Sequence, residues 1–154
     1  MSAYWLMKSE PDSFSIDDLA RSPRKTTFWD GVRNFQVRNM FRDHMMVGDG
    51  VLFYHSSTAV PGVVGLARVA SGPKIDPTQF DPDDHHYDPA SQLSAPRWMG
   101  VDVKFTRKLK RVIPLSELRA HAHELGDFPL IRKANRLSVM PVSADQWGII
   151  ISLE

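Results

Sequence analysis

Short apolar runs broken by turn residues set the pattern of this chain, with few long amphipathic stretches. Tyr4 to Met7 is an apolar and aromatic run ending at Lys8, Ser9, Glu10 and Pro11, which predicts a buried strand stopped by a turn. Ser15 followed by Ile16, Asp17 and Asp18 has the form of a helix start: a hydroxyl can cap the first amides, and the acids sit near the positive end. Pro23 keeps that helix short. Thr26 to Trp29 favours strand, whereas Gln36 to Met46 places Val37, Met40, Phe41 and Met45 at one-face helical spacing. Arg38, Asn39 and Arg42 fall on the opposite face.

Gly48, Asp49 and Gly50 signal a turn before a strand at Val51 to Tyr54, and Pro61 with Gly62 precedes a second at Val63 to Val69; the two are expected to pair. Ser71 to Arg97 is rich in proline, aspartate and serine and predicts one long excursion over the surface. Trp98 to Phe105 alternates, with Val101, Val103 and Phe105 on one face, and a basic strand continues towards Arg111. A helix is expected from Pro114 and Ser116 to about Glu124, ended by Gly126. Leu137 to Val142 predicts a further strand, and Ser143 with Gln146 forms a capping box for a last helix holding Trp147, Ile150 and Ile151. Five or six strands mixed with short helices, without regular alternation, imply a single α+β domain or small mixed barrel over residues 1–154. Trp5, Phe53, Val103 and Trp147 are its expected core markers.

Composition then removes several function classes. No apolar run approaches the roughly 20 residues of a membrane helix, and the N-terminus lacks signal-peptide order, so a soluble, intracellular, cytoplasmic protein is expected. With no cysteine, disulfide frameworks, thiolate metal sites and thiol catalysis are excluded. Net charge is only +1, yet it is unevenly spread. Arg21 to Arg42 carries six basic residues against Asp30 alone, Asp76 to Asp88 carries five aspartates without lysine or arginine, and Arg97 to Arg111 again sets six basic residues against one acid. Separate basic and acidic faces would follow, although solvated surface decoration explains the same counts.

The densest unusual cluster is Trp29, Asp30, Gly31, Val32, Arg33, Asn34 and Phe35. An indole face can stack on a planar ligand, glycine permits close backbone approach, and arginine with asparagine supplies directed hydrogen bonds; a core tryptophan before a turn is the plainer alternative. Lys8, Ser9 and Glu10 end one expected strand, and His55 with Ser56 ends another, so polar groups gather where strand ends could form a barrel mouth. Ser56 beside His55 does not make a hydrolase pair, because neighbours on a strand face opposite ways and no nucleophile elbow surrounds them. Asp83, Asp84, His85, His86 and Asp88 lie in an expected mobile loop without ordered ligand spacing, which favours a solvated acidic loop over a metal site. His121 and His123 are simplest as helix-surface residues.

On these residues the chain resembles the EVE family, a branch of the PUA-like barrels. The resemblance rests on Trp5 to Pro11, Trp29 to Asn39, Phe53 to Ser56, Gly62 to Val69, Tyr87 with Asp88, Trp98 to Phe105, and Arg136 to Val142 with Trp147. It implies a PUA-like mixed β-barrel of five to six strands with short peripheral helices, akin to the YTH domains whose aromatic cages hold methylated adenine. By the same resemblance Trp29 would stack on a ligand, Lys8, Ser9, Glu10, Asn34, His55 and Ser56 would line its pocket, and Arg33, Arg38, Asn39 and Arg136 would meet phosphates at the rim; Arg42, from the basic run, is expected to face phosphates with them. Phe35 departs from the tyrosine associated with its position. The expected function is a reader of a modified nucleobase, modified cytosine among the candidates, in DNA or RNA, with no cofactor, metal or catalytic residue. A small hydrolase of modified nucleosides, with Lys8 and Glu10 as its base pair, is the alternative from the neighbouring ASCH group. A pocketed module for a metabolite or peptide is the third.

Overall fold

In chain order the computed structural model, which describes residues 3–154, places β1 (Tyr4–Ser9), α1 (Ile16–Arg21), β2 (Thr26–Phe28), α2 (Phe35–Asp43), β3 (Gly50–His55) and β4 (Gly62–Val69) first. After them come β5 (Lys74–Ile75), β6 (Met99–Gly100), β7 (Asp102–Pro114), α3 (Leu115–Ala120), α4 (Ala122–Leu125), β8 (Val139–Val142) and α5 (Ala144–Ser152). Six strands form one mixed sheet in the order β2-β7-β4-β3-β1-β8, with β1 and β3 parallel and the other neighbours antiparallel. The sheet curls into a half-barrel flanked by short helices, and its end strands β2 and β8 are not paired to each other. β5 and β6 form a separate two-stranded ribbon.

Both faces of this sheet are covered, which is why its central strands read as unbroken apolar runs. Trp5, Met7, Val51, Phe53 and Val103 pack on one side with Ile16 and Leu19 of α1 and Val37, Met40 and Phe41 of α2. Their immediate neighbours Leu6, Leu52 and Tyr54 pack on the other side with Leu118, Leu125 and Ile150 of α3, α4 and α5. β7 serves both layers because it changes face partway. Ala67 faces Phe105 but Leu66 faces Arg107, so Thr106 is an extra residue in a bulge. Before it Val103 belongs to the first layer; after it Leu109 and Ile113 belong to the second.

Element boundaries follow the local chemistry. α1 and α5 begin with the two capping boxes, Ser15 with Asp18 and Ser143 with Gln146. α2 stops at Asp43, so Met45 reaches the first layer from beyond the helix. The helix expected from Ser116 to Glu124 is broken at His121 into α3 and α4, and Gly126 ends it at φ 67°. Trp5, Phe53 and Val103 are buried as expected. Trp147 is only half-buried, because it stacks on Tyr4 from outside, with ring centroids 4.5 Å apart.

The Gly48-Asp49-Gly50 turn does more than reverse the chain. Asp49 is buried and accepts from the Trp5 indole at 3.0 Å, the Met46 amide at 2.9 Å and the Ala3 amide at 3.1 Å. One carboxylate thus joins the start of β1, the exit of α2 and the start of β3. Asp49→Ala leaves these donors without an acceptor and is expected to lower the unfolding free energy by roughly 2–3 kcal/mol, with Asn recovering part of it. Urea denaturation checks this; a loss within about 0.5 kcal/mol, the range of ordinary surface changes, would assign Asp49 to the turn alone.

Candidate functional site

Trp29 follows directly on β2, and its position is fixed from several sides. Its amide donates to the Val101 carbonyl at 2.9 Å. Its own carbonyl packs against Gly100, where any Cβ would collide with it. The indole meets Phe53 edge-on, with centroids 5.6 Å apart and planes at 81°, and only 9% of the residue is exposed. Gly31 then turns the chain at φ 78°, a conformation that favours glycine. A Cβ at Gly31 would lie 2.6 Å from the His86 ring, so the close approach this glycine permits is made by an imidazole of the same chain.

A cavity of about 540 Å³ opens beside this turn. One wall is Thr27, Phe28, Trp29 and Asp30; a second is Lys8, Ser9, Glu10, Ser13 and Phe14; a third is Asp84, His85 and His86. Its size suits a small planar ligand, and its lining combines aromatic surface with polar groups. The third wall comes from the segment expected to be a loose surface excursion, which the structure shows to be tied down. Asp76 is fully buried and accepts from the Gly31 amide at 2.8 Å, from Arg33 at 3.0 Å and from the Thr78 amide and hydroxyl at 2.9 and 2.6 Å. Gln79, also buried, bonds Ser91 Oγ, the Trp98 backbone and the Asp76 carbonyl. Asp88 accepts from the Trp98 indole at 2.7 Å. Residues that read as solvated decoration therefore satisfy one another inside the fold.

The residues expected to line a pocket divide into two groups. Lys8, Ser9, Glu10 and Trp29 line the cavity, whereas Asn34, His55 and Ser56 are not among its lining residues. Asn34 caps α2 by accepting from the Val37 amide at 3.1 Å. His55 Nε2 accepts from the Ile16 amide at 3.1 Å, at the start of α1, and the Ser56 amide donates to Ser9. Lys8 contributes to the wall, yet its ammonium lies 6.0 Å from the Tyr54 ring, on the side its cross-strand partner faces. Ser9 donates to the Phe14 carbonyl at 2.5 Å.

The residues assigned to phosphates also differ in what they touch. Arg33 is committed inward, to Asp76, Thr78 and the carbonyls of Val32 and His86, and lies over the Trp98 ring. Arg42 pairs with Asp43. Arg38 bonds Asn39 and the Arg97 carbonyl and lies 4.9 Å from the half-exposed Phe35 ring, which itself stacks on Trp98. Asn39 lines a different cavity, of about 570 Å³, with Trp5, Gln36 and His44. Arg136 is exposed, and neither it nor Arg38 makes an ion pair among the described residues.

Electrostatics set the cavity apart from the general surface. Burial, then the charges of Asp76 and Asp84, push the Asp30 carboxyl above its ordinary value. Burial likewise lowers the Lys8 ammonium, and it lowers the His55 imidazole against the pull of Asp17. At Asp76 burial acts upward but is outweighed by the donors of Thr78, Gly31 and Arg33, which hold the carboxyl below its ordinary value. Asp30, Asp84 and His86 line the cavity and Asp76 lies behind it, a grouping that the sequence pattern does not bring together. Asp76 and Asp84 sit in a run of similar aspartates, and Asp30 stands in the shadow of Trp29.

Because the folded carboxyl of Asp76 is depressed, its stabilising effect is present above the unfolded carboxylate range and is lost as pH falls through the folded value. Asp76→Ala is expected to remove roughly 3 kcal/mol of stability near neutral pH and much of the acid sensitivity in that window. Thermal unfolding measured across pH checks it, and an unchanged profile would mean that the third wall is held by other contacts.

The EVE domain family profile matches residues 3–153. The chain is 42% identical to human thymocyte nuclear protein 1 over 169 residues, covering the whole of this chain and 75% of that protein. A crystal structure of a Pseudomonas putida protein superposes with a TM-score of 0.93 at 46% identity, covering 98% of this chain and 99% of that one. The crystal structure of human THYN1 protein in complex with 5-methylcytosine containing DNA superposes with a TM-score of 0.90 at 41% identity, covering 99% of this chain and 97% of that one. Among the described residues no helix is long and apolar enough to cross a membrane. With the fold, the strand-end cavity and matches running almost end to end, the chain belongs to the EVE domain family.

Proposed function

We propose that this protein reads modified cytosine in DNA, 5-methylcytosine foremost, by receiving a flipped base in the Trp29 cavity. The observation that carries the proposal is this cavity, walled by Trp29, Phe28 and Phe14, in a chain 41% identical to the human protein whose structure was solved with 5-methylcytosine containing DNA. A base inside a duplex cannot reach such a recess, so extrusion from the stack is part of the reading. Aromatic surface supplies contact with little dependence on sequence, and the polar wall supplies discrimination. Asp30 stands next to Trp29 on that wall, and a carboxylate is the acceptor that suits the exocyclic amine of cytosine. Thymine presents a carbonyl oxygen at that position and would meet like polarity.

Two measurements test the assignment. Trp29→Phe keeps part of the aromatic wall and is expected to retain the fold, whereas Trp29→Ala opens the first core layer as well as the cavity. For binding to a 5-methylcytosine oligonucleotide we expect a loss of roughly tenfold to a hundredfold in the alanine variant and a smaller loss with phenylalanine. Thermal unfolding on the same samples separates lost binding from lost folding. A folded alanine variant that binds as the parent does would overturn the cavity assignment.

Phosphate contacts would fall to Arg38 and Arg136, which have no carboxylate partner among the described residues. Arg38→Ala is expected to weaken binding to all sequences alike and to lower the salt slope by about one unit. Arg33→Ala is expected instead to destabilise the fold, because its guanidinium is bound to Asp76 and Thr78. Titrations at several salt concentrations decide this; an unchanged slope for Arg38→Ala would place that side chain away from the duplex.

A further inference from the structure

The proposed base site carries an electrostatic conflict. Its lining includes Glu10, Asp30 and Asp84, while the ammonium of Lys8 is turned towards Tyr54. A nucleotide brought to this mouth places its phosphate against carboxylates. The acidic run Asp76 to Asp88 adds to that field. Such a mouth attracts cations, and one place in it has the ligands to hold a metal.

Asp84, His85 and His86 offer one ligand atom each, and these atoms all lie within 4.8 Å of one another. Asp84 Oδ1 is 3.2 Å from His86 Nδ1 and 3.8 Å from His85 Nδ1. Ligands at 2.0 to 2.1 Å from a tetrahedral ion stand about 3.3 Å apart, so small rotations would bring these three atoms onto one ion. Two elements of the surrounding fold hold the cluster ready. The His86 ring packs against Gly31, where no side chain fits, and the His86 carbonyl accepts from Arg33 at 2.9 Å. The His85 side chain is 86% exposed and is free to close on an ion.

We propose that Asp84, His85 and His86 bind a divalent transition-metal ion whose remaining coordination position faces the Trp29 cavity. Two imidazoles and a carboxylate suit zinc and its neighbours rather than calcium or magnesium. Three protein ligands leave a tetrahedral ion open to one further oxygen. The bound charge inverts the local field at the acidic mouth, and the open position takes a phosphate oxygen of the nucleotide whose base enters the cavity. This second role rests on the base-reading function; the metal site itself does not.

Zinc chloride titrated calorimetrically into the whole protein, without DNA and in a non-chelating buffer, tests the site first. One ion per chain is expected, with affinity reduced at least roughly tenfold in His85→Ala, His86→Ala and Asp84→Asn and unchanged in His123→Ala. Thermal unfolding is recorded for each variant. Should His86→Ala unfold because its ring supports Gly31, the substitution at the exposed His85 decides the matter. Absence of stoichiometric binding, or equal affinity in folded His85→Ala and the parent, overturns the site and leaves a plain hydrogen-bonded turn. Binding of a 5-methylcytosine oligonucleotide is then compared in zinc and in EDTA. A loss of roughly tenfold in EDTA that is absent in His85→Ala supports the bridging role, and equal affinity in both media overturns it. If zinc binds as expected but the oligonucleotide binds in neither medium, the base-reading function fails and the metal site stands.

Discussion

The burial of one carboxylate, that of Asp76, fixes most of what surrounds the cavity. A carboxylate with no solvent contact is tolerated only when its oxygens are met by donors, and here they come from Gly31, Arg33 and Thr78. Meeting that demand binds the turn after Trp29 to the acidic segment. The third wall of the cavity is therefore part of the fold, and His86 is delivered onto Gly31. The same demand commits Arg33, which explains why a basic residue in the most conspicuous motif of the chain is directed inward. Its planar fork reaches a carboxylate, a hydroxyl and two carbonyls at once, a pattern lysine could not reproduce.

The curled sheet places the site by keeping its two layers distinct. Successive residues of β1 and β3 feed opposite faces, so the layer under α1 and α2 and the layer under α3, α4 and α5 are built from the same strands. Trp29 belongs to the first layer while also bordering the cavity. The indole is braced edge-on by Phe53 and its backbone is fixed to the Val101 carbonyl, so a ligand stacked there would meet a preorganised wall. The same placement limits how much of the ring a ligand can cover. Phe28 and Phe14 extend the apolar wall where Trp29 is covered by the core.

Much of this architecture was legible in the sequence, because it rests on local rules. The two capping boxes, the paired strands after Gly50 and Gly62, and the alternation through Val101 and Val103 all signal themselves within a few residues. The end of α2 was less legible, since Met45 keeps the helical spacing while reaching the core from the turn that follows. The segment from Ser71 to Arg97 was misleading for a different reason. Its prolines and aspartates are turn formers wherever they occur, and nothing local distinguishes a buried Asp76 from a solvated Asp83. Only long-range partners make the difference: Gly31 and Arg33 stand more than 40 residues away from Asp76. The candidate site divides along the same line. Strand ends located Lys8, Ser9 and Glu10, and the aromatic motif located Trp29. The roles of Asn34 as a helix cap and of His55 as an acceptor for α1 depend on helices packed from elsewhere.

If the cavity receives a base as proposed, affinity and discrimination would be separated in space. Arg38 and Arg136, which lack carboxylate partners among the described residues, are not among the lining residues, so phosphate attraction need not enter the recess. Inside it, carboxylates prevail. An acid at a base-reading wall gives up general attraction for nucleic acid in return for selecting an edge that offers a donor, as the amine of cytosine does. Burial first, and then the charges of Asp76 and Asp84, raise the Asp30 carboxyl above its ordinary value. Its acceptor strength thus depends on the charge state of its neighbours.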